Sequence, residues 1–165
     1  MRPGLSLDLI QEKLANLPFR VSDDVIELYS WADGSDSAFE LLPGGYFISL
    51  DEALVDCSMM QEMKDKLLKI FFVPYYDSLR FLSDWSDGGY AFGRIDSPSD
   101  GQIVKRCIHE QWAIAYRHLP ALLNTAIACR RKGVFGLGSD IPDFHAYYRI
   151  AAEMNPEIEN WRQTS

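Results

Sequence analysis

Three runs of alternating apolar and polar residues follow one another closely: YAFGRID, QIVKRCIH and WAIAYRH, separated by SPSDG and by a few residues at 109–111. Alternation at period two sends successive side chains to opposite faces of a strand. The joints carry turn residues and are too short for the crossover that parallel neighbours need, so the runs predict an antiparallel meander. That constrains the rest of the chain, which must supply helices to cover such a sheet.

Upstream, residues 6–16 predict a first helix with Leu7, Ile10 and Leu14 on one face, closed by Leu17-Pro18. A second helix follows, with Ser22 as its N-cap and Asp23 and Asp24 in the first turn, where the helix dipole favours acids. Val25, Leu28, Tyr29 and Ala32 form one apolar stripe, Ile26 and Trp31 lie off it, and Gly34 ends the helix. AFELL, the turn PGG at 43–45 and YFISL predict a hairpin. Ser49 and Glu52 make a capping box for a long helix to about Lys69, with Ala53, Cys57, Met60, Leu67 and Leu68 among its apolar positions. IFFVPYY at 70–76 predicts a strand interrupted by Pro74, and DSLRFLSDWSDGG a short helix and a turn. Pro120 opens a helix that ends in three cations before Gly133, and Pro142 opens a last one carrying Phe144, Tyr147, Tyr148 and Ala151.

Helices, strands, helix, strands, helices is not a βαβα order. It predicts a single α+β domain with a mixed, mostly antiparallel sheet. The linker-like GVFGLGSDIPD at 133–143 divides residues 1–133 from a C-terminal helical extension, 134–165, packed on them.

The formal net charge is −8, carried by residues 1–100, where 18 acids face 8 bases for a net of −10. Phosphate-backbone binding needs Lys and Arg, so nucleic acid is an unfavoured partner; the acidic balance suits attraction of a basic protein, and solubility alone accounts for it as well. No apolar run approaches a membrane span, and the N-terminus predicts a helix, not a signal peptide. Cys57, Cys107 and Cys129 are few, odd in number and far apart, as free thiols in a reducing cytoplasm would be.

Signals for catalysis are sparse. The sequence holds no G-x-S-x-G, no Walker A, no H-E-x-x-H and no paired C-x-x-C. Gly136-Leu137-Gly138 follows a helix, not a strand, and lacks a third glycine. Cys107 and His109 share a strand face and would need His118 or His145 to complete a zinc site. Asp33, Asp36 and Glu40 lack the order of a calcium loop. Asp84, Asp87, Asp96 and Asp100 flank a strand, but turn chemistry accounts for Asp87-Gly88 and Asp100-Gly101. The expectation is a non-enzyme with no cofactor and no metal.

Between 75 and 100 aromatics and acids interleave: Tyr75, Tyr76, Phe81, Trp85, Tyr90 and Phe92, with Asp77, Asp84, Asp87, Asp96 and Asp100. Large aromatic anchors among acids suit a basic protein partner. Tyr90 and Phe92 share a strand face, which fits a buried pair equally well. A competing surface is the helix 50–69, whose Met59, Met60 and Met63 fit an adaptable surface or core filler.

LP followed by an acidic, apolar helix ending in W-x-x-G, then FELLPGGYFISLDEA, resembles the SUKH superfamily, named for a yeast cell-wall-synthesis regulator and including many bacterial immunity proteins. The resemblance falls on Leu17-Pro18, Tyr29, Trp31, Asp33-Gly34, Leu41-Leu42 and Phe47 to Ala53, which includes Leu50 and Glu52. FVPYY, GGYAFGRID, GQIVKRC and HLPALLNTAIACRRKG resemble later, more generic blocks. Asp33 stands where the family usually has Asn, and 77–88 is longer than the pattern needs. The likeness covers roughly residues 5–133 and implies about six strands flanked by helices, with Tyr29, Trp31 and Gly34 as scaffold. It also implies binding instead of catalysis: an antidote that blocks a bacterial toxin of nuclease or deaminase type. The alternatives are a regulatory scaffold of cell-wall or secretion machinery and, further off, a metal-dependent enzyme. The expected docking residues are Tyr76, Trp85, Asp87, Tyr90, Asp96 and Asp100, on a monomer or weak homodimer that avoids membranes.

Overall fold

In the computed structural model, the alternating runs are neighbouring antiparallel strands at one end of a six-stranded sheet. The structure describes residues 1–35, 40–67, 77–83, 88–97, 99–106, 112–135 and 142–162. In chain order the elements are α1 (Leu7–Leu14), α2 (Asp24–Trp31), β1 (Glu40–Leu42), β2 (Gly45–Phe47), α3 (Leu50–Leu67) and β3 (Ser78–Ser83). Then come β4 (Gly89–Gly93), β5 (Ile103–Arg106), β6 (Ala113–Tyr116), α4 (Leu119–Arg131), α5 (Phe144–Met154) and α6 (Glu159–Arg162). Strands lie side by side in sequence order and each neighbouring pair is antiparallel, so the single α+β domain holds one continuous meander instead of a mixed sheet.

Register assigns the two sheet faces. Phe92, Ile103 and Tyr116 are cross-strand partners on one face, as are Phe47, Leu82 and Tyr90. Arg80, Ala91 and Val104 are partners on the other. The aromatic face is covered by α2, α4, α5 and α6: Tyr29 packs on Phe47 at 5.3 Å, and Trp161 packs on Tyr116 at 5.5 Å. The opposite face carries α3, whose Asp56 binds Arg80 and Arg106 from the sheet. Strands covered on both sides are buried along nearly their whole length, as β4 is.

The segment 78–83 is a strand and not the expected short helix. Its pattern does not alternate because both faces are covered and because a bulge falls between Arg80 and Leu82. Phe81 is the extra residue, so Phe81 and Leu82 both enter the core. The 70–76 run lies outside the described residues.

The Val25, Leu28, Tyr29, Ala32 stripe is buried as its spacing predicts. Several details of that region differ from expectation. Ser22 does not cap α2 with its side chain: Val25 N–H meets the Ser22 carbonyl, and Ser22 Oγ is buried without a partner. Trp31 is 59% exposed and is not packed scaffold, because it points away from the stripe. Leu7 is likewise exposed, and Ile10 is the buried residue of α1. Gly34 does not itself end α2, which closes at Trp31 with Ala32 as its C-cap; the glycine is needed three residues past Trp31. Its φ is +86°, and an added Cβ would stand 2.8 Å from Ser49 N.

The C-terminal helices share the same core. Tyr147 hydroxyl lies 2.7 Å from that of Tyr90 and 2.8 Å from that of Tyr116. Asn155 donates to Thr125 Oγ1 on α4 at 3.1 Å. Trp161 Nε1 donates to the Ala115 carbonyl on β6 at 2.6 Å, and Arg130 on α4 donates to the Glu40 carbonyl on β1.

Candidate protein-interaction face

Helix α3 lies on its side of the sheet with a pinned inner face and an open outer one. Its start is capped twice. Glu52 accepts from Ser49 N–H at 2.8 Å while Ser49 Oγ accepts from Glu52 N–H at 3.2 Å, the reciprocal box expected from the sequence. Asp33 Oδ1 accepts from Leu50 N–H at 2.8 Å. Leu50, Ala53 and Cys57 are buried at helical spacing against the sheet. Asp56 holds Arg80 at 2.8 Å and Arg106 at 2.6 Å, and Arg106 stacks on the Trp112 ring at 4.6 Å. Toward the far end, Gln61 and Lys64 each reach Asp77 at 3.0 Å, and Arg94 reaches it at 2.9 Å.

Burial shapes the electrostatics of this inner face. It lowers the Arg106 guanidinium's affinity for its proton, opposed by the Asp56 charge. It pushes the Cys57 thiol up to about 11, so that sulfur stays a protonated thiol. Burial also works against ionisation of Asp77, but donors from Gln61 and Lys64 and the Arg94 charge outweigh it and hold the carboxyl below its ordinary value. Hydrogen bonds from Ser49, and then Arg2, do the same for Glu52.

On the outer side Val55 (61%), Met59 (57%) and Met63 (42%) are exposed in a row at i, i+4 and i+8. Asp51, Glu52 and Glu62 are exposed beside them. Asp51 pairs with Lys13 of α1, and Glu52 with Arg2 at 3.2 Å, so the row continues toward the N-terminal segment. Of the three methionines that the sequence offers as an adaptable surface or as core filler, Met59 and Met63 are exposed and Met60 is half-buried. Val55 was not singled out from sequence, although it falls opposite Leu50, Ala53 and Cys57 at 100° per residue.

The expected docking residues are scattered. Tyr76, Trp85 and Asp87 lie outside the described residues. Tyr90 is a correction: its ring is buried and its hydroxyl bonds Tyr147, so it belongs to the core and not to a docking surface. Asp96 and Asp100 are exposed in the β4–β5 loop with φ of +60° and +43°. That loop is braced internally, with Ser97 and Ser99 hydroxyls donating to the Arg94 carbonyl at 2.7 and 3.1 Å. Leu50 is buried, Leu17 half-buried and Pro18 exposed.

Of the zinc candidates, Cys107 and His109 lie outside the described residues. His118 Nδ1 accepts from Ala121 N–H at 3.1 Å at the start of α4, and His145 is exposed on α5. No group of three metal-ligating side chains occurs among the described residues. The Tyr90–Tyr147–Tyr116 hydroxyl chain was not foreseen from sequence. Burial pushes the Tyr116 and Tyr147 phenols well above their usual range, so both stay neutral and serve packing. No helix among the described residues is long and apolar enough to cross a membrane. Comparison with protein-family models gives no match, and neither does comparison with curated proteins.

Proposed function

We propose that this chain is a non-catalytic protein-binding module that acts in the cytoplasm as an antidote, docking on a basic toxin domain and blocking it. The observation that carries the reading is the exposed Val55–Met59–Met63 row with acids beside it, on a helix held at its start, middle and far end. Contiguous exposed apolar side chains on a firmly held element mark a surface kept for a partner. The net charge of −8 favours a basic partner, and the SUKH-like first block supplies the toxin-antidote role.

The test is co-expression with the product of the adjacent upstream gene. The expected outcome is arrested growth with that product alone, restored growth with the chain present, and a stoichiometric complex on purification. Arrest unrelieved by the chain, with no complex, rejects the antidote role. A complex with a cell-wall or secretion component in place of a toxin moves the protein to the regulatory-scaffold reading.

A further inference from the structure

The chemistry of the α3 row selects among partners. Val55, Met59 and Met63 follow one i, i+4 ridge, inclined by about 26° to the helix axis and rising about 12 Å along it. Such a row presents a ridge that another helix can straddle. Methionine side chains are flexible and polarisable, so the ridge adapts to the shape laid on it. Among the described side chains of α3 the exposed charges beside it are the carboxylates Asp51, Glu52 and Glu62, the first two bridged to Lys13 and Arg2 of the N-terminal segment. Among the described side chains of α3 the base is Lys64, and it is turned inward to Asp77.

Resting on the binding-module reading, we infer that this row receives a basic amphipathic helix of a partner protein. The partner's apolar side lies along Val55, Met59 and Met63, and its Lys or Arg residues meet Asp51, Glu52 and Glu62. Charge complementarity decides against the other occupants. A second copy would bring the same carboxylates from both chains to one interface. An anionic bilayer surface would meet carboxylates where it attracts cations. In their bridges to the half-buried Lys13 and the exposed Arg2, Asp51 and Glu52 themselves stay exposed, and pairs with an exposed partner contribute little. Those acids can therefore exchange their present cations for a partner's.

A labelled synthetic Leu/Lys amphipathic helix, its Leu/Glu counterpart and phosphatidylserine vesicles are the probes, titrated against the full chain. The Leu/Lys peptide is expected to bind saturably, less tightly as salt rises. Replacing Met59→Lys with Met63→Lys should weaken it about tenfold or more. Ile127→Lys alters an apolar residue on α4 that is 47% exposed, and should leave binding unchanged. Circular dichroism and melting temperature check the fold, and Met59→Ser with Met63→Ser replaces the lysine pair if that pair unfolds. The inference is overturned by no loss in the double variant, equal loss in the Ile127 variant, equal binding of the Leu/Glu peptide, or binding to vesicles and not to the peptide. A dimer dispersed by the double variant overturns it as well. Peptide binding without protection of cells removes the antidote role and supports this face. Protection without peptide binding removes this face and leaves the antidote role.

Discussion

Tyr29 and Trp31 stand two positions apart on α2, and a rotation of about 200° separates them. Tyr29 is on the stripe that spacing alone places inward, and it is fully buried. Trp31 is off that stripe, and periodicity already set it apart. The family resemblance put it among the scaffold residues, and in this chain it faces solvent. Tyr29→Ala should therefore cost about 3–5 kcal/mol, as loss of a buried aromatic does, while Trp31→Ala should cost less than about 0.5 kcal/mol. Denaturant midpoints of the two variants check this, and a large loss for Trp31→Ala would return that ring to the core. Asp33 was legible as a departure from the usual Asn but not in its consequence. Its carboxylate caps α3 at Leu50 N–H, where the positive end of the helix favours a charge over an amide. That bond spans 17 positions in sequence, and no local pattern announces such a partner.

At the scale of elements, legibility followed the number of faces a segment buries. The capping box of α3, the β1–β2 hairpin and the β4–β6 meander were readable because their signals are local. Strand β3 was not, because a bulge broke its period and cover on both faces buries its polar residues Ser78 and Ser83 and pairs Arg80 with Asp56, so that no solvent face marks the strand. Helix α6, four residues long, is too short for any helical period to show. The outer row of α3 was half legible: the methionines stood out, but only the cover on the opposite side shows which of them meet water. The far end of α3 depends on Asp77, whose folded carboxyl ionises below its ordinary value of 3.8. A lowered folded value means that its stabilising contribution is in place above about pH 4 and is lost as pH falls through the folded value. Asp77→Asn should lower stability at pH 7 by about 1–2 kcal/mol, the scale of losing charge-assisted hydrogen bonds. The gap to the parent protein should close as both are taken to acid pH. A gap constant down to pH 2 would show that the carboxylate charge is not what holds this end of α3.

Taken whole, the molecule is layered unevenly. Four helices cover the aromatic face of the sheet while α3 covers the other, which is why the outer side of α3 meets water. The C-terminal helices complete the heavier layer. Trp161→Ala removes a fully buried ring that touches Tyr116, Tyr147 and Tyr148, and should cost about 3–5 kcal/mol. A melting curve little changed by it would make residues past α5 dispensable. The same indole has a second consequence through its bond to the Ala115 carbonyl. A meander ends in two border strands whose outward carbonyls and amides can template a foreign chain. Here a carbonyl on β6 is occupied by Trp161 and one on β1 by Arg130. Neither border is left as a clean ladder, so a seventh strand finds obstructed ground at either end. Molecules crowded together by strong expression or heat are thus hindered from stacking edge to edge into fibres, and a visiting protein is steered toward side chains in place of backbone.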